Sequence, residues 1–286
     1  MKKNFEYVNA PTIGAALQAL DEYKKKAMLV AGGTNVMVYI RKGRCNDRVL
    51  VNIRDIRELR GISCEDGIVT VGALTTISDI SKSEILRKYA SVLYSAGNVF
   101  ADPTTRNSAT IGGNVANAGA GGDTIPPLLV LDAIAHVKSL GGERTIPISN
   151  LFIGPGRTCI APNELLTHFT FKAETHVAFI KLCMRKAMSI SMVCCAAYAK
   201  LNGDVIDECR IGLGAVAPTP VRAYNAEAAL MGGRLDEKTV NRMAEVVQMD
   251  MNPRDPSVRA TVTYRRRVTP VLIERAVRKA ALGECL

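Results

Sequence analysis

The chain has 286 residues, of which 48% are apolar and 22% are charged, a globular composition that excludes a disordered, collagen-like or coiled-coil chain. At about 100 to 200 residues per domain, this length predicts one large or two medium-sized domains. The formal net charge is +10. Only Tyr264 accompanies the basic run Arg265–Arg267 near the C-terminus, so we expect no nucleic-acid binding. The run is either a solvated helix face or a docking face for an acidic protein or substrate.

The first fifty-odd residues alternate between helix and strand patterns. Apolar side chains at i, i+3, i+4 and i+7 from Ile13 to Leu20 predict an amphipathic helix behind a cap at Thr12. A short strand over Met28–Val30 runs into the glycine turn Ala31–Asn35, and a second strand is predicted over Val49–Ile53. This order is typical of a β/α unit.

The middle of the chain shows weaker periodicity. The turn Glu65–Gly67 predicts a hairpin, and Ser78–Lys88 predicts a helix. Between Pro103 and Pro127 small and amide residues dominate, and no amphipathic period runs through them. Leu128–Val137 is then predicted as a buried strand or helix.

A change in composition near residues 172–177 predicts a domain boundary. Beyond it, two apolar strands flank the turn Asn202–Asp204, which is hairpin chemistry. Helices are predicted over Ala223–Met231, Glu237–Met249 and Pro270–Ala281. We therefore expect a second domain of α+β class with an antiparallel sheet.

The cysteines, histidines and apolar runs indicate the cellular setting. The eight cysteines show no Cys-x-x-Cys spacing, and the three histidines lie too far apart in sequence to suggest a ligand set. We expect a reduced protein with no metal or iron–sulfur site of its own. Met1–Asn4 does not begin a secretion signal, and the apolar stretch Ala187–Ala199 is too short to span a bilayer. A cytoplasmic location without a membrane span is expected.

Two glycine loops are candidates for binding a phosphorylated ligand. The Rossmann-like string Gly212–Ala217 runs into a proline-rich turn, so we interpret it as the end of a strand. In contrast, Gly32–Asn35 and Gly112–Asn114 each place paired glycines before a hydroxyl or amide side chain. Successive backbone N–H groups in such turns bind anions. Either loop alone is more often a plain tight turn, but together they suggest one elongated, doubly phosphorylated ligand.

Several sequence blocks, in order along nearly the whole chain, resemble those of one family. The blocks are Leu29–Asn35, Thr110–Val115, Gly122–Pro127, Gly154–Thr158, Glu164–Leu166, Lys181 and Arg185 with Ala187–Ile190, Gly214–Pro220 with Arg222, and Val258–Ala260 with Tyr264–Arg266. They resemble the FAD-binding subunit of molybdenum hydroxylases, the group of xanthine dehydrogenase and aerobic carbon monoxide dehydrogenase.

The resemblance implies an α+β fold in two domains. A FAD-binding domain of the vanillyl-alcohol-oxidase (PCMH) type is expected over residues 1–173, with subdomains of about 1–55 and 56–173. A small C-terminal α+β domain with an antiparallel sheet and helices is expected over residues 174–286, closing over the flavin. Gly119–Gly122 departs from the family's usual Ser-Pro-x-Gly pattern before Asp123, so this loop is expected to be more flexible.

The resemblance also implies a set of cofactor-binding residues. They are Leu29, Val30, Ala31, Gly32, Gly33, Thr34, Asn35, Val36, Ala109, Thr110, Gly112, Gly113, Asn114, Asn117, Asp123, Leu166 and Lys181. By position, residues 29–36 would wrap the FAD pyrophosphate, and the block from Thr110 to Asn117 would complete the phosphate and adenosine side. Asp123 would lie toward the ribityl chain and ring, while Leu166 and Lys181 would approach the isoalloxazine.

Two of these residues have simpler interpretations. Lys181 would stabilise negative charge near flavin N1, which makes it the candidate catalytic, flavin-tuning residue. Taken alone, it is a surface lysine at a strand end. Asp123 is otherwise a helix N-cap ahead of Ile125.

The family implies an oxidoreductase complex in which this chain carries only FAD. A molybdopterin-containing large subunit and a [2Fe–2S] small subunit would be its partners, and NAD the electron acceptor. Xanthine dehydrogenase is the favoured type, and carbon monoxide, nicotinate and aldehyde dehydrogenases are alternatives. A stand-alone flavin oxidoreductase, or a flavin-free scaffold or nucleic-acid-binding subunit, also stays open.

Overall fold

The N-terminal subdomain is a small parallel sheet with its connecting helices. The computed structural model describes residues 5–185 and 188–283. The subdomain's elements are β1 (Phe5–Asn9), α1 (Ile13–Tyr23), β2 (Ala27–Val30), α2 (Val36–Arg41) and β3 (Arg48–Asn52). The strands lie in the order β1-β3-β2 and all pairs are parallel. The predicted cap of α1 is confirmed, since Thr12 Oγ1 accepts a hydrogen bond of 3.2 Å from the N–H of Ala15.

A five-stranded antiparallel sheet and a group of short helices follow. Their elements are β4 (Ile62–Glu65), β5 (Ile68–Gly72), α3 (Ile77–Ile80), α4 (Glu84–Tyr89), α5 (Ser91–Asn98), α6 (Pro103–Ser108), α7 (Ile111–Ala116), α8 (Ile125–Val130), β6 (Ile134–Ser139), β7 (Gly142–Pro147), β8 (Phe152–Gly154), β9 (Arg157–Thr158) and β10 (Leu165–Lys172). The large sheet has the order β4-β5-β10-β6-β7. The predicted β4–β5 hairpin is confirmed, with Asp66 and Gly67 at positive φ in its turn.

The helices of this region are shorter than sequence periodicity can detect. The single helix predicted over Ser78–Lys88 is two helices, because Ser83 caps α4 by accepting from the N–H of Leu86. Asp102 and Thr110 likewise start α6 and α7 through side-chain caps. Helices of six residues are too short to display an amphipathic repeat, so the segment before α8 gave no signal. Leu128–Val137, predicted as one element, is divided between α8 and β6.

The C-terminal part is an antiparallel sheet covered by helices, as predicted. Its elements are β11 (Val177–Leu182), β12 (Val193–Asn202), β13 (Val205–Gly214), β14 (Val221–Arg222), α9 (Tyr224–Leu230), α10 (Glu237–Val246) and α11 (Val262–Leu282). The strand order is β11-β12-β13-β14, and Gly203 at φ 61° lies in the predicted hairpin turn. The two-domain α+β architecture is confirmed, while the boundary at residues 173/174 stays a prediction.

The last helix begins eight residues earlier than predicted. Proline interrupts helical hydrogen bonding, so the sequence placed the helix start at Pro270. In the structure Thr261 caps α11 and Pro270 lies inside it. The carbonyl of Arg266, which Pro270 leaves without its helical partner, accepts a hydrogen bond of 3.2 Å from Gln248 Nε2.

The two parts pack closely where α8 meets β13. A Cβ at Gly212 would lie only 2.5 Å from the carbonyl oxygen of Pro126, so glycine is required for this approach. The N–H of Ala215, just beyond β13, donates to the carbonyl of Ala120 over 2.6 Å. The loop before α8 is therefore held against the second domain. Within residues 5–185 and 188–283, no helix has both the length and the apolarity to cross a membrane.

Candidate functional site

The loop after β2 presents a run of open backbone donors. Gly32 to Asn35 connect β2 to α2 and are half-buried or exposed. Their N–H groups, and that of Val36, donate to no acceptor among the residues that the structure describes. Leu29, Val30 and Ala31 lead into this run and are half-buried. Five successive N–H groups without partners form a cradle suited to phosphate oxygens.

The glycines of this loop are needed for different reasons. A Cβ at Gly32 would lie 1.8 Å from the carbonyl oxygen of Ser108, so the close approach of Ser108 requires glycine at this position. Gly33 has φ +72°, a conformation that favours glycine, while the space around it is ordinary. Gly32 therefore allows the close approach of Ser108, and Gly33, with its positive φ, shapes the turn that carries the open N–H groups.

The second predicted glycine loop, Gly112–Asn114, is instead the first turn of helix α7, and it uses its N–H donors within the chain. The N–H groups of Ile111 and Gly112 donate to the carbonyls of Thr75 and Ala73, and Gly113 N–H donates to Thr110 Oγ1 over 3.1 Å. A Cβ at Gly112 would lie 2.7 Å from that of Ala73. This helical turn thus packs on the first domain's core, and its accessible residues are Gly113 and the half-buried Asn114. Ala109 is buried at its start.

The structure nevertheless brings the two glycine segments, the loop after β2 and the start of α7, together. Gly32 lies against Ser108, immediately before the second loop. Tyr39 Oη donates a hydrogen bond of 2.9 Å to Asn117 Oδ1, which connects α2 to the end of α7. The adjacency that the sequence could only suggest is thus present.

Two arginines lie beside the loops and were missed by sequence analysis. Arg54 and Arg60 line a small cavity of about 30 Å³ together with Gly32, Ser108 and Thr110. This cavity has room for one or two water molecules. Arg60 donates to the carbonyl of Arg54 over 2.6 Å. Both follow β3, and isolated arginines in a loop carry no motif that could have identified them.

A buried ion pair lies at the junction of the two domains. Lys181 Nζ on β11 is 2.7 Å from Asp123 Oδ2, and the two side chains are 3% and 6% exposed. Ser191 Oγ donates to the other carboxylate oxygen over 2.5 Å, and Lys181 also donates to the carbonyl of Val99 over 3.0 Å. Burial raises the pKa of Asp123, and the charge and hydrogen bonds of Lys181 and Ser191 oppose that rise.

This geometry corrects both simpler interpretations. Lys181 is not a surface lysine, because its side chain is almost fully buried. Asp123 is not a helix cap, since Thr124 occupies the N-cap position of α8 and the oxygens of Asp123 accept from Lys181 and Ser191. Lys181 is also not a free cation, because it is paired. Ser191 was missed; it directly follows the Ala187–Ile190 block, of which Ala187 lies outside the described residues.

Of the predicted cofactor-binding residues, Leu166 has the placement that gives least support to a contact with the flavin ring. It lies on β10, is 7% exposed and packs in the core of the first domain. Lys181 lies on a strand of a different sheet. The structure therefore brings together the two glycine loops, and separately Asp123 with Lys181, but leaves Leu166 within the core.

The residues present fit a dinucleotide with a pyrophosphate. The open N–H run of Gly32–Val36 supplies donors that carry no charge, and Arg54 and Arg60 add positive charge nearby. Oriented N–H groups and guanidinium groups are the two kinds of donor that phosphate groups favour. The buried Asp123–Lys181 pair offers a carboxylate and an ammonium at the domain junction.

Comparisons with known proteins agree with this arrangement. The family model described as the FAD binding domain in molybdopterin dehydrogenase matches residues 3–171, and that of the CO dehydrogenase flavoprotein C-terminal domain matches residues 178–280. The xanthine dehydrogenase FAD-binding subunit of Escherichia coli O157:H7 is 33% identical, over 96% of this chain and 95% of the relative. The carbon monoxide dehydrogenase medium chain of Hydrogenophaga pseudoflava is 28% identical, over 98% of both chains. A solved structure of that organism's carbon monoxide dehydrogenase superimposes with a TM-score of 0.93 at 29% identity, covering 99% of each chain.

Proposed function

Because this chain belongs to the family of FAD-binding flavoprotein subunits of molybdenum hydroxylases, we propose that it is the electron-transfer subunit of a xanthine dehydrogenase-type complex. It would pass electrons from a [2Fe–2S] partner through FAD to NAD. The observation that carries the FAD assignment to particular residues is the run of open N–H donors from Gly32 to Val36. The preference for xanthine follows the 33% identity to the Escherichia coli subunit.

The chain's own residues would hold the cofactor from two sides. We assign the pyrophosphate to the cradle of residues 29–36, with Arg54 and Arg60 balancing its charge. The block from Ala109 to Asn117, with Thr110, Gly112, Gly113 and Asn114, would flank the adenosine side. Its N–H donors are largely used within the chain, so its contribution would come from the side chains of Asn114 and Asn117.

Bound FAD supplies the ability to accept electrons from one redox partner and release them to another. Asp123 and Lys181 are assigned to its ribityl and ring end. As an ion pair they carry no net charge, so their field on a neighbouring ring is that of a dipole and not of a free cation. Two further hydrogen bonds fix the orientation of this dipole, because Lys181 also donates to the carbonyl of Val99 and Asp123 also accepts from Ser191. Leu166 is kept as a candidate for the ring side.

The partners are proposed to be separate chains. Relatives of this chain are described as an FAD-binding subunit and a medium chain, which supports placing molybdopterin in a large subunit and the [2Fe–2S] clusters in a small one. Carbon monoxide, nicotinate and aldehyde dehydrogenases remain the alternative types, because the relatives include several of them. We place the complex in the cytoplasm, consistent with the free thiols of the seven described cysteines.

One purification tests the proposal in stages. The protein isolated from its native source should show the visible spectrum of a flavin at about one FAD per chain, and should carry two further subunits. The complex should oxidise xanthine and reduce NAD. A colourless protein would refute the FAD assignment, and flavin without partner subunits would favour a stand-alone flavoenzyme. Turnover of carbon monoxide, nicotinate or an aldehyde in place of xanthine would change the assigned type and leave the family unaffected.

A further inference from the structure

Arg265 is a buried cation that lacks a carboxylate partner within the described part of the chain. It lies in the first turn of α11 and is 5% exposed. One terminal nitrogen donates to the carbonyl of Ala215, and the other donates to Ser257 Oγ over 3.0 Å. Its Nε has no hydrogen-bond partner among the described residues. Burying a charge without a carboxylate partner is costly. The segments that Arg265 connects therefore indicate why the charge is buried here.

Ala215 connects Arg265 to the first domain. Ala215 has φ +65°, a left-handed conformation that alanine rarely adopts. Its carbonyl accepts from Arg265, and its N–H donates to the carbonyl of Ala120 over 2.6 Å. One strained residue thus bridges α11 and the loop Ala118–Gly122, which ends immediately before Asp123.

The segment around Ala215 is fixed on its other sides as well. A Cβ at Gly214 would lie 2.5 Å from Cys194 Sγ and 3.4 Å from the carbonyl oxygen of Ala120, so only glycine fits there. The carbonyl of Val216 accepts from the N–H of Asn252 over 3.0 Å. Arg265 therefore completes a set of contacts that holds the segment around Ala215 directly against the loop Ala118–Gly122.

We propose that Arg265 is a positioning residue for the flavin end of the site: through Ala215 it fixes the loop Ala118–Gly122 and, with it, Asp123. The inference rests on the proposed function, which places the ring end of FAD beside Asp123. Arginine suits the task because its planar fork bonds two segments at once, whereas lysine offers a single point charge. The effect on the cofactor is transmitted by the backbone, and Arg265 itself need not touch it.

Amide hydrogen exchange tests the structural link without any flavin. In Arg265→Met, the amides of Gly122 and Ala215 should exchange about tenfold faster than in the wild type, equivalent to about 1.4 kcal/mol. The matched control is Arg266→Met, which removes a half-buried arginine of the same helix that contacts Gln248 instead of Ala215. This control should leave both amides unchanged. Equal exchange of the loop in the two variants would overturn the proposal.

FAD affinity tests the functional consequence. Arg265→Met should raise the dissociation constant for FAD about tenfold over that of Arg266→Met. If the methionine variant does not fold, Arg265→Lys replaces it in this test. Its loss of FAD affinity should be smaller than about tenfold, because lysine can still reach one of the two acceptors. Adding Ala215→Gly should recover part of the affinity, because glycine adopts φ +65° without strain. If Arg265→Met binds FAD as tightly as Arg266→Met, the positioning role is refuted and the proposed function is not. If the wild-type protein binds no FAD, the proposed function itself is refuted.

Discussion

Lys181 and Asp123 join the two domains through an ion pair of 2.7 Å whose side chains are 3% and 6% exposed. Lys181 comes from β11 of the second domain, and Asp123 from the loop before α8 in the first. A buried pair is stable only while both charges are present, because either one alone keeps its desolvation cost. The contact therefore makes the mutual orientation of the domains depend on two residues assigned to the flavin site.

Removing either partner of this pair should destabilise the protein, and the losses from the two removals should not add. We expect Lys181→Met to lower the free energy of unfolding by about 3 kcal/mol, and Asp123→Asn by a similar amount. The double variant should lose less than the sum. In Lys181→Met the raised pKa of Asp123 is no longer opposed by the ammonium, so the folded state holds a proton that the unfolded state releases. Its stability should therefore rise as the pH is lowered from about 7 toward 5. Urea unfolding of the four proteins checks this, and additive losses would contradict it.

The two glycines of the cradle should fail in different ways. Gly32→Ala places a Cβ 1.8 Å from the carbonyl oxygen of Ser108, so we expect loss of folding as well as of FAD, by more than about 3 kcal/mol. Gly33→Ala meets no close neighbour but strains φ +72°, which should cost about 1 to 2 kcal/mol. Its main effect should be weaker FAD binding, because the N–H groups that follow turn away. Flavin fluorescence titration and thermal unfolding separate the two. Equal unfolding midpoints for both variants would contradict the assignment.

Two stacked histidines should make the stability pH-dependent. The rings of His136 and His168 lie 4.0 Å apart across β6 and β10. Burial lowers the pKa of both, and His136 lowers that of His168 further, while Glu143 opposes the shift. Folded pKa values below the unfolded value near 6.5 mean that the stabilisation is present above about pH 6.5 and is lost as the pH falls.

The free energy of unfolding should accordingly decline between about pH 7 and pH 5. His168→Gln should reduce that decline. His176→Gln is the control, since this histidine is exposed and outside the stack. Denaturant titrations over this pH range provide the measurement, and a slope unchanged by His168→Gln would assign the pH dependence to other groups.

The basic face of α11 should contribute to subunit docking. The structure corrects the residues involved: Arg265 is buried and Arg266 contacts Gln248, so only Arg267 of the basic run is exposed. Arg275 and Lys279 lie on the same exposed side, with Val271 between them and Arg267. Reversing the charges of Arg267, Arg275 and Lys279 to glutamate should weaken assembly with the partner subunits at low salt and leave the FAD content unchanged.

A matched reversal of three exposed lysines tests whether position matters. Lys24, Lys25 and Lys26 lie in the N-terminal subdomain and are exposed, so their change to glutamate alters the net charge equally. This control should assemble normally. If both triple variants assemble as well as the wild type at low salt, the helix face is only a solvated surface.

The sequence predicted elements whose residues interact locally. The cap at Thr12, the hairpin turn at Gly203 and the β2 strand before Gly32 all depend on near neighbours, and all are present. The early start of α11, capped by Thr261, was missed because Pro270 lies inside the helix, and the carbonyl that Pro270 frees is bonded by Gln248, which is distant in sequence. Local patterns contain no trace of such a partner.

In the candidate site, too, local sequence patterns were predictable and contacts between distant residues were not. The motif that contains Asp123 was evident, but its partner was not, because Lys181 is 58 residues away and the two meet only when the domains pack. The packing requirement for glycine at position 32 could not be predicted either, since the backbone of Ser108 comes from a different subdomain. Sequence patterns thus gave candidate residues, and tertiary contacts decide which of them meet.

The reduction potential of bound FAD should respond in opposite directions to the two halves of the ion pair. At a pH above the raised pKa of Asp123, Lys181→Met leaves a carboxylate, which disfavours added electron density on a nearby ring, so the potential should fall. Asp123→Asn leaves an ammonium, so the potential should rise. For a two-electron couple, about 30 mV corresponds to about 1.4 kcal/mol, so an interaction of 1 to 3 kcal/mol gives roughly 20 to 60 mV in each direction. The double variant, which is neutral like the wild-type pair, should return close to the wild-type value.

Spectroelectrochemical titration near pH 8, where Asp123 is more readily ionised, measures the reduction potential of all four proteins at verified FAD occupancy. If both single variants keep the wild-type midpoint with full occupancy, the pair lies beyond electrostatic reach of the ring and serves only to join the domains.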